Sequence, residues 1–160
     1  SKVLGKTQEI LAEAMMDVRT LSHQIMPNML IKNSLADALR DLISKTNSPK
    51  LHLELKLEGL QNNLDQNIQV VMYRIIQECI NNTIKHAHAS KVEISVLQRN
   101  NMIEANFTDN GVGFNPLKIS SKNDGLGLEN IKSRIDMLKG DLEINSAAGK
   151  GTSIIMKIPV

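Results

Sequence analysis

Cysteine is almost missing from this chain, and the one present, Cys79, excludes an internal disulfide and any multi-cysteine metal cage. It falls among the apolar positions of a helical pattern, where a small buried filler is expected, and such a composition suits a reducing, cytoplasmic compartment. Aromatic residues are scarce as well: there is no Trp, one Tyr and two Phe, so a surface that reads nucleic acid by stacking bases is excluded. Neither sign of charge is in excess enough to attract a polyanion, since 19 Lys and Arg stand against 17 Asp and Glu for a net charge of +2. No apolar run approaches the roughly 18 residues of a membrane-spanning helix, and no charged-apolar-small leader opens the chain. The segment is therefore expected to be soluble, with no membrane contact of its own, whether or not a parent protein is anchored in a membrane. Internal repeats and low-complexity tracts are lacking too.

What is present is an ordinary globular composition. With 160 residues and 41% hydrophobic content, the chain can bury about two-thirds of its unfolded surface, which supports one core and an appended element. It starts at Ser1 without an initiator methionine and runs straight into a helical pattern, as a piece of a longer polypeptide would. From Thr7 to Ile25 the apolar residues Ile10, Leu11, Ala14, Met15, Val18, Leu21 and Ile25 draw one stripe down a helix that Pro27 ends or kinks. That stripe needs a partner, either the rest of the domain or another helix in a bundle.

Ser34 suits the N-cap of a second helix through about Lys45. Leu51, Leu53, Leu55 and Leu57 alternate with polar residues, the period of a half-buried strand. Asp65 caps a long helix from Gln66 to Ala87, with Ile68, Val71, Met72, Ile75, Ile76, Cys79, Ile80 and Ile84 as its apolar face. Strands from Lys91 to Gln98 and from Met102 to Thr108 flank an Asn100-Asn101 turn, and a polar loop spans Asn115 to Asp124. A helix starting at Asn123 or Asp124 runs to Leu138 with Gly140 as its C-terminal cap. Strands from Asp141 to Asn145 and from Thr152 to Ile158 then flank the turn Ala148-Gly149-Lys150-Gly151.

Three segments carry chemistry. Glu78 and Asn82 are four apart on the long helix, so both project from one face, a carboxylate and an amide oxygen suited to Mg²⁺. Lys85 and His86 follow toward the helix end, where cations can meet phosphate oxygens. Asp109 stands at a strand end before Gly111 and Gly113, where a carboxylate can accept from the exocyclic amine of adenine while glycines let the chain approach the ring. Gly125-Leu126-Gly127-Leu128 at a helix start offers backbone N–H groups and a positive dipole end to phosphates. Each has a plain alternative: a solvated helix face, an Asp-Asn-Gly turn, a loop hinge.

Taken together, the order Glu78-x-x-x-Asn82-x-x-Lys85-His86, Asp109-x-Gly111-x-Gly113, Gly125-x-Gly127-Leu128 and Gly149-x-Gly151-Thr152 resembles the N, G1 and G2 boxes and closing Gly-Thr turn of the GHKL ATPases. Within that superfamily, Gln77-Glu78 through His86-Ala87 and Gly127-Leu128-x-Asn130-Ile131-x-x-Arg134 are most similar to the catalytic domain of two-component sensor histidine kinases, in the subfamily of nitrate and lipid-fluidity sensors. The resemblance implies an α+β fold, the Bergerat two-layer sandwich of a mixed sheet covered by helices on one face, with an N-terminal helix. It implies ATP and Mg²⁺ as cofactors. Asp109 would hold the adenine amino group with Thr152 assisting through water, Gly111 and Gly113 would shape that pocket, and Asn82 would bind the metal. Lys85 and His86 would face the phosphates, Gly125 and Gly127 would anchor the lid, Leu128 would join the nucleotide-binding residues, and Glu78 matches the family's conserved acid.

The segment Arg19-x-Leu21-Ser22-His23-Gln24-x-Met26-Pro27 resembles the second helix of the family's dimerisation hairpin. Residues 1–28 are accordingly expected to belong to that hairpin and residues 29–160 to the ATP-binding domain. In the subfamily the acceptor histidine lies on the other hairpin helix, in a Leu-His-Asp type motif that this sequence does not contain. His23 is followed by Gln24 rather than an acid and reads as a structural or linker residue. The implied partners are the phosphoacceptor helix of the same kinase, a response regulator and a second copy in a full-length homodimer. Two other readings stay open: a GHKL serine kinase or ATPase using the same pocket, and a non-catalytic interaction module.

Overall fold

A computed structural model describes residues 27–116 and 126–160. The hairpin-like segment with His23, most of the polar loop after Phe114 and Gly125 lie outside the described residues. The chain order is α1 (Asn28–Lys32), α2 (Leu35–Thr46), β1 (His52–Glu58), α3 (Gln66–Asn82), a π-helical turn (Thr83–Ala87), β2 (Lys91–Arg99), β3 (Met102–Asp109), α4 (Leu126–Met137), β4 (Asp141–Ser146) and β5 (Thr152–Pro159). The strands form one mixed sheet in the order β1-β2-β3-β5-β4, with β1 parallel to β2 and every other pair antiparallel.

Period-two alternation separates the two faces of this sheet. Leu53, Val92, Ile94, Val96, Ile103, Ala105, Phe107, Ile154, Met156 and Ile158 point inward and are buried, while Glu54, Glu93, Thr108 and Lys157 on alternate positions are exposed. The inner face packs in one core with Leu35, Leu39, Met72, Ile75, Ile76 and Ile80 of α2 and α3 and with Ile131 and Ile135 of α4. The expected two-layer α+β sandwich is therefore the observed fold. Among the described residues no helix is long and apolar enough to cross a membrane.

Local chemistry sets the element ends. The Ser34 hydroxyl accepts from the Asp37 N–H, and the Asp65 carboxylate accepts from the N–H groups of Asn67 and Ile68, so both expected caps are in place. Asn47 ends α2 and turns its amide onto the free edge of β1, accepting from the Leu53 N–H and donating to the Leu53 carbonyl in place of a neighbouring strand.

The structure departs from the sequence pattern at four places. A short helix, α1, follows Pro27, whose carbonyl accepts from the Leu30 N–H, and Leu30 is buried in the core. Five residues carry too little periodicity to announce it. Leu51 pairs only in an isolated bridge with Ser48, and β1 begins at His52. The helix expected to reach Ala87 changes to π geometry after Asn82, with Ile84 on its outside at 55% exposure and Thr83 and Ala87 buried instead. At the end of α4 the left-handed residue is Lys139, not Gly140: the Gly140 N–H bonds the Ile135 carbonyl and the Lys139 N–H that of Asp136, the paired bonds of a Schellman turn. Gly140 is needed for space, since a Cβ there would stand 2.6 Å from the Lys157 carbonyl oxygen of β5.

Candidate functional site

Three apolar stripes from three elements each end in a polar side chain, and the three ends meet. Along β3 the inward residues Ile103, Ala105 and Phe107 are followed by Asp109, only 5% exposed. Along β5, Thr152 opens the inward row that continues with Ile154, Met156 and Ile158. Along α3, Cys79 is followed one turn on by buried Thr83. Asp109 and Thr152 are direct partners across β3 and β5.

A carboxyl group this deep needs hydrogen bonds to offset its lost hydration. The Gly111 N–H donates to Asp109 Oδ1 at 2.8 Å, and the Thr83 hydroxyl donates to Oδ2 at 3.3 Å. Each oxygen keeps accepting capacity for a ligand.

Around these groups is a cleft of about 330 Å³, within the usual range for small-molecule sites. Its apolar wall comes from Cys79, Ala87, Phe107, Phe114, Leu128 and Ile154, and its polar groups are Asn82, Thr83, His86, Asp109 and Thr152. Burial pushes the Cys79 thiol up, and the charges of Glu78 and Asp109 add to the shift, so at neutral pH it is an uncharged part of the wall. The cleft thus joins an apolar wall to hydrogen-bonding groups at its end.

The loop after Asp109 is tied on both sides. The Asn110 amide oxygen accepts from the N–H groups of Ser90 and Lys91, the Val112 N–H reaches the Ala87 carbonyl, and the Val112 carbonyl accepts from Gly149. Gly113 has φ +62°, and a Cβ there would run into the Ala147 carbonyl oxygen and come within 2.8 Å of that of Gly151. Backbone atoms cannot swing aside, so Gly113→Ala is expected to lower stability by about 2 to 3 kcal/mol, read as a shift in the urea unfolding midpoint.

At the rim, α4 begins against the polar face of α3. A Cβ on Gly127 would lie 2.8 Å from Glu78 Oε1 and 2.9 Å from both Asn82 side-chain atoms, so Glu78, Asn82 and Gly127 form one cluster. Half-buried Arg134 lies within the field of Glu78: burial lowers its pKa and the Glu78 carboxylate opposes that. Ile131 and Ile135 hold α4 onto the core.

Of the residues singled out from sequence, Asn82, His86, Asp109, Gly113, Leu128 and Thr152 line the cleft. Gly111 backs Asp109, and Glu78 and Gly127 meet Asn82 at the rim. Lys85, exposed like His86 beside it in the π-helical turn, is not among the lining residues. Gly125 lies outside the described residues. Sequence reasoning missed Thr83, the apolar wall of Phe107, Phe114 and Ile154, and Ser146, whose hydroxyl meets Phe114, Gly151 and Thr152. The legible signal for Thr83 was a hydroxyl at an inward position of an apolar helix face; Ser146 had none.

Comparison with known proteins agrees with this geometry. The sequence profile described as "Histidine kinase-, DNA gyrase B-, and HSP90-like ATPase" matches residues 67–160. The chain is 32% identical over 149 residues to the sensor histidine kinase ComP of Bacillus subtilis (strain 168), covering 92% of this chain and 19% of that protein. It is 29% identical over 156 residues to the oxygen sensor histidine kinase NreB of Staphylococcus carnosus (strain TM300), covering 97% and 45% respectively. The chain thus spans less than half the length of these relatives. Among solved structures, the Acinetobacter baumannii histidine kinase AdeS superposes with a TM-score of 0.61 at 23% identity, over 99% of this chain and 82% of that one. The histidine kinase domain from the Erythrobacter litoralis EL346 blue-light activated kinase gives a TM-score of 0.62 at 15% identity, over 79% and 61%. These two likenesses speak to the fold, while the profile spans the stretch that holds the long helix, the cleft and both glycine turns: the chain belongs to the histidine kinase-, DNA gyrase B- and HSP90-like ATPase family.

Proposed function

We propose that this chain is the ATP-binding catalytic domain of a two-component sensor histidine kinase. The observation that carries the reading is the pairing of buried Asp109 with Thr152 at the end of an apolar cleft whose rim holds Asn82, Glu78 and the first turn of α4. In this reading Asp109 accepts from the adenine amine, Thr152 assists through water, and Phe107, Phe114, Leu128 and Ile154 enclose the ring. Gly111 and Gly113 would shape the pocket, and Gly125 and Gly127 would anchor the lid. Asn82 would hold Mg²⁺, an amide oxygen being a hard donor of the kind that ion takes alongside phosphate oxygens. Bound there, the ion would offset the negative charge of the triphosphate. His86 would approach the phosphates from the cleft wall and Lys85 from the exposed side of the same turn. Glu78, which matches the family's conserved acid, is the candidate general base and would take a proton from the attacking group.

The division of the chain near Pro27 into a hairpin segment (1–28) and a catalytic body (29–160) belongs to the same proposal. So do a cytoplasmic location, an acceptor histidine on a helix outside this fragment, dimerisation of the whole protein and a response regulator as the receiver of the phosphate. ComP and NreB, the two curated relatives described above, are both named as sensor histidine kinases, which supports this over a serine kinase or an interaction module.

Calorimetric titration tests the binding half: the chain is expected to bind ATP, with affinity falling several-fold when Mg²⁺ is removed by EDTA and adenosine binding unaffected. Absence of ATP binding in both conditions would refute the assignment. Incubation with labelled ATP tests the transfer half. No stoichiometric acid-labile phosphate is expected on the isolated chain; its appearance would move the acceptor onto this fragment and single out His23.

A further inference from the structure

We propose that Ser146 is a positioning residue that makes Thr152 an obligate hydrogen-bond acceptor, and so biases the cleft toward an amino rather than an oxo group at the 6-position of a purine. The inference rests on reading the cleft as a purine-nucleotide site.

Ser146, Thr152 and Asp109 occupy one row across three neighbouring strands: Ser146 is the register partner of Thr152 across β4 and β5, and Thr152 that of Asp109 across β5 and β3. The Ser146 hydroxyl has three contacts, with the Gly151 carbonyl at 2.9 Å, the Phe114 N–H at 2.9 Å and the Thr152 hydroxyl at 3.0 Å. A hydroxyl has one proton and two lone pairs. A carbonyl only accepts, so Ser146's proton goes to Gly151. An N–H only donates, so Phe114 occupies one lone pair. The proton in the contact with Thr152 must then be Thr152's own, donated to the remaining lone pair. Ser146 is saturated, and Thr152 has no proton left for the cleft.

The consequence is an end wall made of acceptors. Asp109 and Thr152, side by side, both offer lone pairs to whatever occupies the base slot, directly or through a water. An exocyclic amine, with two protons, satisfies that wall. A carbonyl in its place meets lone pairs with lone pairs. Without Ser146 the Thr152 hydroxyl can rotate and donate into the cleft, and the penalty on the carbonyl relaxes.

The test is calorimetric titration with Mg-ATP and with Mg-inosine triphosphate, which carries a 6-oxo group. Ser146→Ala is expected to lower the ratio of ATP to inosine triphosphate affinity about five- to tenfold, the worth of one hydrogen bond's polarity. Ser146→Thr, which keeps the hydroxyl, is expected to retain the native ratio. Thr152→Val removes the group that Ser146 acts on, so adding Ser146→Ala to it should leave the ratio where Thr152→Val alone puts it. If Ser146 only ties the loop of Phe114 to the turn at Gly151, both nucleotides weaken by the same factor and the ratio stays native, which overturns the inference. A further fall of the ratio in the double variant overturns it as well, and where Ser146→Ala does not fold, a ratio lost in Ser146→Thr overturns it. If the unmodified chain binds neither nucleotide, the purine site itself is refuted, an outcome distinct from intact ATP binding with an unmoved ratio.

Discussion

An Asp109→Asn variant is expected to fold and to bind Mg-ATP about 10- to 100-fold more weakly than the unmodified chain, measured by calorimetry beside a urea unfolding curve. The substitution preserves shape, and the surroundings dictate which way the new amide points. The Gly111 N–H, 2.8 Å from Oδ1, requires an acceptor there, so the amide oxygen takes that position and the NH₂ takes the place of Oδ2. A group that donates now faces the amine of the base, donor against donor, and Thr83 loses the acceptor for its hydroxyl. Loss of a hydrogen bond to a charged group is worth about 1.5 to 3 kcal/mol, which sets the range of the expected effect. The fold is expected to suffer little by comparison, because the variant keeps the side chain's shape and an acceptor for the Gly111 N–H. An unchanged affinity would mean that the base does not sit against Asp109, and the cleft would need another occupant.

The residues whose neighbours are near in sequence were the readable ones. Glu78 and Asn82 are one helical turn apart, and Asp109 and Gly111 are two residues apart, so local geometry alone brings each pair together. The helices and strands followed from periodicity for the same reason, the apolar face of α3 and the alternation in β1 and β3 being local patterns. Ser146 became functional only through register: its contact with Thr152 depends on how β4 aligns with β5, and its contact with Phe114 on where a loop over thirty residues earlier comes to rest. Lys85 and His86 look equivalent as adjacent cations and both are exposed, yet within the π-helical turn only His86 lines the cleft. Ile84 fits an apolar stripe on paper, but the chain passes into π geometry after Asn82 and the inward positions go to Thr83 and Ala87. Gly140 suits a left-handed cap by composition, whereas Lys139 adopts that conformation and Gly140 is held to a hydrogen for lack of room beside β5. In each miss the deciding neighbour came from a distant part of the chain or from a change in helix type, and neither leaves a trace in residue spacing.

Gly127→Ala separates function from stability in the opposite sense to Gly113→Ala. The methyl group at Gly113 would strike backbone carbonyls, which cannot move without the loop. At Gly127 it would meet Glu78 Oε1 at 2.8 Å and Asn82 Oδ1 and Nδ2 at 2.9 Å, all three the far ends of side chains that can swing away. The cost to folding is therefore expected to stay below about 1 kcal/mol, an alanine being in any case better tolerated in a helix than glycine. The atoms displaced, however, are those assigned to the metal and to the acid, and the same methyl holds the first turn of α4 away from α3, where its free N–H groups would meet phosphate. Both ends of the triphosphate's support move together. Mg-ATP affinity is expected to fall about 30-fold, equivalent to roughly 2 kcal/mol, while adenosine, which reaches only the base slot around Asp109, changes by less than about twofold. Equal losses for both ligands would show that the rim cluster and the base slot are not separate parts of one nucleotide site, and an unfolding midpoint shifted as far as that of Gly113→Ala would show that Glu78 and Asn82 are held in place by the fold rather than free to yield.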